Sequence, residues 1–354
     1  IRAVLTSPIF SWAGKLRMAL EPLVGRSAQA GDESVGAFVR RRLGREALER
    51  LVQPLVGGIY TGDPERLSLA ATLPRFIEME RAHGSLWQGL RARAADKEKA
   101  TRGARYGLFV SLRNGLSQLV DAAQGALEGR CRIRLGTEVK TIKRIDGEGE
   151  FGVELSSGET IQADAVILAV SCKIASRLVS DLPGDLSARL GEIELASSVV
   201  VSTGHRLDQI EHPLDAYGLV VPRGEGRRVL AVSFASRKLA GRAPQGRVLL
   251  RTFVGGELQP ELVELDDQEL RALVLEELES LLGVRGDPEL IDVARYREMM
   301  PQYNVGHLDR VETIERLVAQ IPGLVLAGNS FRGVGLPDCI ARGFEAAASL
   351  LDEQ

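Results

Sequence analysis

Residues 324–351 constrain the chain more than any other stretch. Leu324-Val325-Leu326-Ala327 is a short apolar run and predicts a buried strand. A loop with Gly328, Gly333 and Gly335 follows. From Pro337 or Asp338 onward, Ile340, Phe344, Ala347 and Leu351 recur three or four apart, so the spacing predicts a helix. Asp338 suits a cap or a first-turn acid, and Pro337 suits a helix start. Strand, glycine loop and helix start let a bound molecule approach the backbone closely. Glycine carries no side chain, and a helix N-terminus offers unpaired N–H groups. The same layout also serves an ordinary strand-to-helix connection, and glycine spacing alone does not separate the two.

More than spacing is present. Gly328-Asn329-Ser330-Phe331-Arg332-Gly333-Val334-Gly335, followed by Asp338-Cys339-Ile340 and Gly343, resembles the C-terminal flavin-binding motif of the protoporphyrinogen oxidase family. That family belongs to the FAD-dependent amine oxidase superfamily. Gly58-Ile59-Tyr60-Thr61-Gly62-Asp63-Pro64, continued through Leu67-Ser68, resembles the family's GIYxGDPxxLS loop, which borders the substrate cavity. Residues 79–86 match as well. Asn114-Gly115-Leu116-Ser117-Gln118-Leu119 is similar to its GGMQxL turn, with Asn114 in place of glycine. Asparagine tolerates positive φ better than most residues. Met300-Pro301-Gln302-Tyr303-Asn304-Val305-Gly306-His307 resembles IPQYxxGH. The resemblance spans nearly the whole chain.

It implies an α/β chain with a Rossmann-like FAD-binding domain, discontinuous and incomplete, a mixed-sheet substrate domain and a helical lobe. The expected segments are a helical membrane and substrate lobe at 1–100, flavin-domain parts at 101–175 and 320–354, and a substrate domain at 176–319. FAD is the implied cofactor, near Val139, Gly328, Gly333, Val334, Gly335 and Leu336. Thr61, Gly62, Val220 and Leu239 fall at substrate-lining positions. The last is often aromatic in plant members, and leucine there weakens stacking. Without the resemblance, Val220 and Leu239 read equally as core residues.

The implied reaction is oxidation of protoporphyrinogen IX to protoporphyrin IX in haem biosynthesis, with molecular oxygen as acceptor. Coproporphyrinogen III is the alternative substrate. Another amine-oxidase-like flavoenzyme, or an inactive fragment acting as a binding protein, is a further alternative. No catalytic side chain is expected, since the flavin carries the hard chemistry and the protein supplies position and a shaped slot. A membrane surface and a homodimer stay open as partners. The implied location is the cytoplasm or the cytoplasmic face of the inner membrane.

Composition enters as exclusion. The net charge of −3 gives nucleic-acid binding no support. Three cysteines (Cys131, Cys172 and Cys339) and four histidines lie far apart, without metal-ligand spacing, so no metal is expected. No apolar run reaches membrane-spanning length. The succession of strand, Gly-x-Gly-x-x-Gly turn and helix that holds the pyrophosphate in such folds does not occur in these residues. The expectation is that a natural N-terminal segment lies outside them, and that residues 1–354 alone bind FAD weakly and do not turn over.

Periodicity fills in the rest. Residues 12–24 and 45–54 read as helices, as does the segment from Val35 to Leu43, with Gly44 ending it. Residues 57–64 read as a breaker-rich loop, and 91–105 as a charged connector. Residues 133–142 read as a strand, 151–162 as a hairpin around Ser156-Ser157-Gly158, and 164–170 as a strand covered on both faces. Strands follow at 198–204, 217–222, 229–234 and 247–254. One clear helix is expected after residue 172, at 266–282, before the final one.

Overall fold

The computed structural model describes residues 6–26, 31–92, 111–145 and 150–352. In chain order the main helices are α1 (Trp12–Ala19), α2 (Val35–Arg42), α3 (Gln53–Tyr60), α4 (Pro74–His83) and α5 (Ser117–Leu127). Strands β1 (Val139–Arg144), β2 (Phe151–Leu155), β3 (Thr160–Ala163) and β4 (Val166–Leu168) lead to α6 (Cys172–Leu178) and α7 (Leu186–Gly191). Strands β5 (Leu195–Arg206), β6 (Gly218–Val220), β7 (Ala231–Phe234) and β8 (Arg247–Gly255) precede α8 (Asp267–Leu282). Strand β9 (Leu290–Pro301), α9 (His307–Val318), β10 (Leu324–Leu326) and α10 (Leu336–Asp352) complete the chain. These elements form two compact units: residues 1–66, 73–132 and 196–297, and residues 67–72, 133–195 and 298–354.

The first unit is built on a sheet of order β6-β7-β8-β5-β9. Its long antiparallel ladder runs from Ser198↔Gly255 to Arg206↔Arg247. One sheet face presents Val199, Val201, Val248, Leu250 and Val254 to Leu270, Leu273, Val274 and Leu278 of α8. That helix is well specified locally. Asp266 accepts from the Gln268 and Glu269 amides, Glu269 reaches back to the Asp266 amide, and Gly283 ends the helix at φ +63°.

The helical part of the unit buries an ion pair among apolar side chains such as Met18, Val35, Phe38 and Leu86. Arg42 and Glu21 are fully buried and paired. Arg42 also donates to the carbonyls of Val24 (2.8 Å) and Gly84 (2.7 Å). Glu21 accepts from Ser85 Oγ (2.6 Å) and the Leu86 amide (2.9 Å), at the first turn of the next helix. Segments distant in sequence are thus tied through one buried ion pair, with Glu80 also 3.4 Å from Arg42 Nη1 and Arg42 Nε left without a hydrogen-bond partner among the described residues.

The second unit holds an antiparallel sheet β1-β2-β3 and a separate parallel pair, β4 and β10. Its core joins Ile142, Phe151 and Leu168 to Leu178, Leu190, Val311, Ile314 and Leu324.

The hairpin at 151–162, the ladder strands, α8 and α10 match the expectations. Several elements differ. The run expected at 133–142 becomes strand only at Val139, because Gly136 turns the chain at φ +63° and Leu135 points to solvent. Residues 57–60 are helix, not loop. Pro54 follows a π-helical turn at Leu48–Val52, within a helical run that begins at Arg45. Gly58 faces the sheet, where a Cβ would be in ordinary contact with Val220 Cγ1 (3.6 Å) and Ala231 Cβ (3.9 Å). The helix at 12–24 stops at Ala19 and continues as a 3₁₀ turn through Pro22. Helices α6, α7 and α9 were not expected. Strand β4 has Ile167 41% exposed rather than covered on both faces. At the 114–115 turn the left-handed residue is Gly115, not Asn114. Most of the charged connector, residues 93–105, lies outside the described residues.

Replacing Arg42 with alanine strands a buried carboxylate. The expected loss is about 3–5 kcal/mol of unfolding free energy, read by urea denaturation. The paired replacement Glu21→Gln with Arg42→Met should lose clearly less. Equal losses would show that the ion pair is not what holds these segments.

Candidate functional site

The glycine loop stands where the sequence pattern put it. Strand β10 runs parallel to β4 with Leu324↔Val166 and Leu326↔Leu168. Both strands therefore end at the same edge, where open α/β sheets bind ligands. Gly328 (φ +111°) and Gly333 (φ +87°) have backbones that disfavour any side chain. Val334 and Gly335 are half-buried, and Leu336 opens α10 half-exposed. Seventeen residues long, α10 points its first-turn N–H groups at this loop. The space beside Gly333 and Gly335 holds the Asp338 carboxyl, 2.6 and 2.9 Å from where their Cβ atoms would be. The apolar side chains of α10 lie outward, with Phe344 75% exposed.

The loop is fastened from one side by residues that sequence reasoning did not assign. The Cys172 amide donates to Ser330 Oγ (3.1 Å). Tyr303 Oη donates to the Asn329 carbonyl (2.6 Å), and His307 Nε2 lies 2.8 Å from the Phe331 carbonyl. Arg332 forms a two-pronged pair with Glu315 (2.9 and 2.8 Å), which raises the pKa of its guanidinium. The 300–307 identities were the available signal for this role, yet they read as a bend. Burial pushes the Cys172 thiol pKa up, and burial with the Asp338 charge does the same for Cys339. Neither thiol is ionised near neutral pH.

Val139 opens β1 half-buried against the core of the second unit, opposite Leu155. The register slips between Val139 and Thr141, a bulge that re-aims the strand start.

The expected substrate positions lie in the first unit. Thr61 ends α3 in the left-handed region at φ 51°, ψ 22°, which is costly for a β-branched residue. Three bonds hold it there: its amide to the Gly57 carbonyl (3.0 Å), its hydroxyl to the Tyr60 carbonyl (2.7 Å), and its carbonyl to the Glu257 amide (2.7 Å). Gly62 follows, buried. Gly256 packs so tightly that a Cβ would come 2.8 Å from the Thr61 carbonyl oxygen. Val220 ends β6 and lines a cavity of about 1360 Å³. Leu51, Leu55 and Leu258 are among its apolar walls, and Arg40, Arg45, Arg50 and Arg223 reach it. Thr61, Gly62 and Leu239 do not line this cavity. Leu239 sits half-buried just after the short turn Ala235–Lys238.

The arginines were not foreseen, since none belongs to a matched motif. Arg45 is hydrogen-bonded to Glu49, which raises its pKa and keeps it cationic. Arg50 donates to the Ile9 carbonyl at 2.7 Å. Among the described residues no cluster of His, Cys, Asp or Glu could hold a metal ion.

The loop suits a dinucleotide cofactor by its own features. It joins two left-handed glycines, a strand edge and the N-terminus of a long helix. Comparison with known proteins points the same way. The profile of flavin-containing amine oxidoreductases matches residues 2–351. A coproporphyrinogen III oxidase of Bacillus subtilis is 33% identical over 99% of this chain and 74% of its own length. A chloroplastic protoporphyrinogen oxidase of rice is 30% identical over 97% of this chain and 68% of its own. A crystal structure from Exiguobacterium, assigned as a protoporphyrinogen oxidase, superposes with a TM-score of 0.84 at 30% identity, over 98% of this chain and 74% of that one.

Gly335→Trp should abolish flavin retention, measured as the visible flavin spectrum of the purified protein. Gly333→Ala forces a left-handed alanine onto the Asp338 carboxyl. It should weaken flavin binding about tenfold, a cost near 1.4 kcal/mol. Full flavin occupancy in both would remove the loop from the cofactor site.

Proposed function

The chain belongs to the flavin-containing amine oxidoreductases, in the group of porphyrinogen oxidases, and from this we propose that it oxidises coproporphyrinogen III to coproporphyrin III. Its cofactor is FAD, and porphyrinogen oxidation in haem synthesis is the activity its relatives support. The choice of substrate rests on one observation. The cavity beside Val220 pairs aliphatic walls with four arginines, and Glu49, Asp63, Glu65 and Glu225 line it too. Arg40, Arg45 and Arg50 are ion-paired with Glu65, Glu49 and Glu46, and Arg223 is in no ion pair among the described residues. Coproporphyrinogen carries carboxylates where protoporphyrinogen carries vinyl groups, and guanidinium groups are the natural partners of carboxylates. The greater identity to the Bacillus subtilis enzyme agrees with this.

Each methylene bridge of a porphyrinogen lies between electron-rich pyrroles. FAD, when bound, supplies the two-electron acceptor. Loss of hydride from the bridge leaves a delocalised cation, and a pyrrole N–H then gives its proton to solvent. No side-chain acid or base is required. The chain's own part is to bind and orient. Leu51, Leu55 and Val220 face the ring system, and Arg45 and Arg223 hold its carboxylates. Gly328, Gly333 and the start of α10 hold the cofactor, with Val139 at its adenosine end. Molecular oxygen is the proposed acceptor for the reduced cofactor.

Protoporphyrinogen IX is the second reading, favoured by an apolar stripe on the first unit. Ile9, Trp12, Leu16, Leu20 and Leu23 are exposed, and Lys15 lies 4.7 Å from the Trp12 ring. Such a stripe suits the surface of a membrane, where a vinyl-bearing substrate would concentrate. Among the described residues no helix is long and apolar enough to cross one.

The deciding measurement supplies each porphyrinogen to the flavin-loaded enzyme and follows porphyrin fluorescence. Coproporphyrinogen should be turned over at least tenfold more efficiently. Replacing both Arg45 and Arg223 with alanine should raise its KM severalfold and leave kcat little changed. Preference for protoporphyrinogen, with no effect of the arginine changes, would establish the second reading. Turnover of neither would sink both.

A further inference from the structure

Tyr303 and His307 are buried four residues apart, across the turn into α9. Their rings are stacked, 3.9 Å between centroids and 16° from parallel. Gly306, left-handed at φ +81°, makes the turn that allows this. The chain around Tyr303 is itself fixed: the Ser68 amide donates to its carbonyl (2.7 Å), and the Gln302 amide donates to the Glu194 carbonyl (2.9 Å). The two rings reach the same loop at alternate residues. Tyr303 Oη takes the Asn329 carbonyl, and His307 Nε2 takes the Phe331 carbonyl. A carbonyl can only accept, so His307 carries its proton on Nε2.

The consequence follows from the peptide unit. No described peptide bond is cis, and in a trans peptide the C=O and the next N–H point opposite ways. Turning the Asn329 and Phe331 carbonyls toward the rings therefore turns the Ser330 and Arg332 amides away from them. Neither amide donates to a protein atom among the described residues. The Cys172 amide, at Ser330 Oγ, stops the segment from rotating as a whole.

We propose that the stacked Tyr303–His307 pair is a positioning device for the cofactor. It fixes the orientation of peptides 329–330 and 331–332, so that their amides are presented to FAD. The inference rests on the assignment of this loop to FAD. The pair touches neither substrate nor reacting atoms. Its effect is to preorganise donors that would otherwise have to be ordered when the cofactor binds.

The test uses the flavin-loaded enzyme with Tyr303→Phe, His307→Phe and His307→Gln. The first two keep a ring in the stack and each remove one bond to the loop. The third keeps an N–H for the Phe331 carbonyl. Three quantities are read: the dissociation constant for FAD by flavin fluorescence, the flavin midpoint potential, and the melting temperature of the apoprotein. Tyr303→Phe and His307→Phe should each weaken FAD binding about fivefold or more and shift the midpoint potential. His307→Gln should recover most of the affinity. A fall in apoprotein melting temperature with affinity and potential unmoved would overturn the proposal and leave a purely structural pair. If His307→Phe does not fold, Tyr303→Phe decides alone. Unchanged FAD affinity in Gly335→Trp would instead remove the assignment of the loop.

Discussion

The C-terminal loop depends on the parallel pairing of β4 with β10. The two strands are three residues each and far apart in sequence, yet their register is unbroken. Parallel strands deliver their C-terminal ends to the same edge. Residues after Leu168 and after Leu326 therefore meet, and the Cys172 amide finds Ser330 Oγ there. Antiparallel pairing would have sent the glycine loop to the opposite edge from α6. With so short a strand pair the loop cannot be held by ladder bonds alone. It is held by side chains from α9 and from the turn before it.

The first unit solves a comparable problem by other means. Helix α3 must lie close to the sheet at Val220 and then turn sharply. Gly58 is the residue of α3 that faces Val220 and Ala231 there. The turn falls on Thr61 rather than on glycine, and the strain is sustained because Glu257 takes up its carbonyl. Glu257 is engaged further, accepting from the Asp63 amide at 3.0 Å and pairing with Arg66. A strained residue secured from a distant loop is the pattern expected where backbone placement serves binding.

Local chemistry was legible wherever it was self-sufficient. The helix at 266–282, the 151–162 hairpin and the strand-loop-helix at 324–351 each carry their own signals, and each formed as read. What failed was context. Gly57 and Gly58 are breakers by propensity, yet they lie inside a helix that packs on the sheet at Val220 and Ala231. Helices α6, α7 and α9 are short or mixed in pattern, and their buried faces make sense only once Leu178, Leu190 and Val311 share one core. The arginines that line the cavity belong to no motif, so sequence reasoning did not name them. Arg45 and Arg223 lie far apart in sequence and share one cavity only through the fold.

The segment at 300–307 shows why a run of identities is easily misread. Taken alone, Pro301 and Gly306 account for a bend, and Tyr303 and His307 invite a role at the substrate. The structure gives them a different task. Tyr303 is buried and His307 fully so, and both spend a polar atom on main-chain carbonyls of the glycine loop. An aliphatic pair could fill the same volume. It would leave the Asn329 and Phe331 carbonyls without these donors, and a buried acceptor without a partner costs about 1–3 kcal/mol. The chemical identity of these two side chains is therefore matched to the backbone they face.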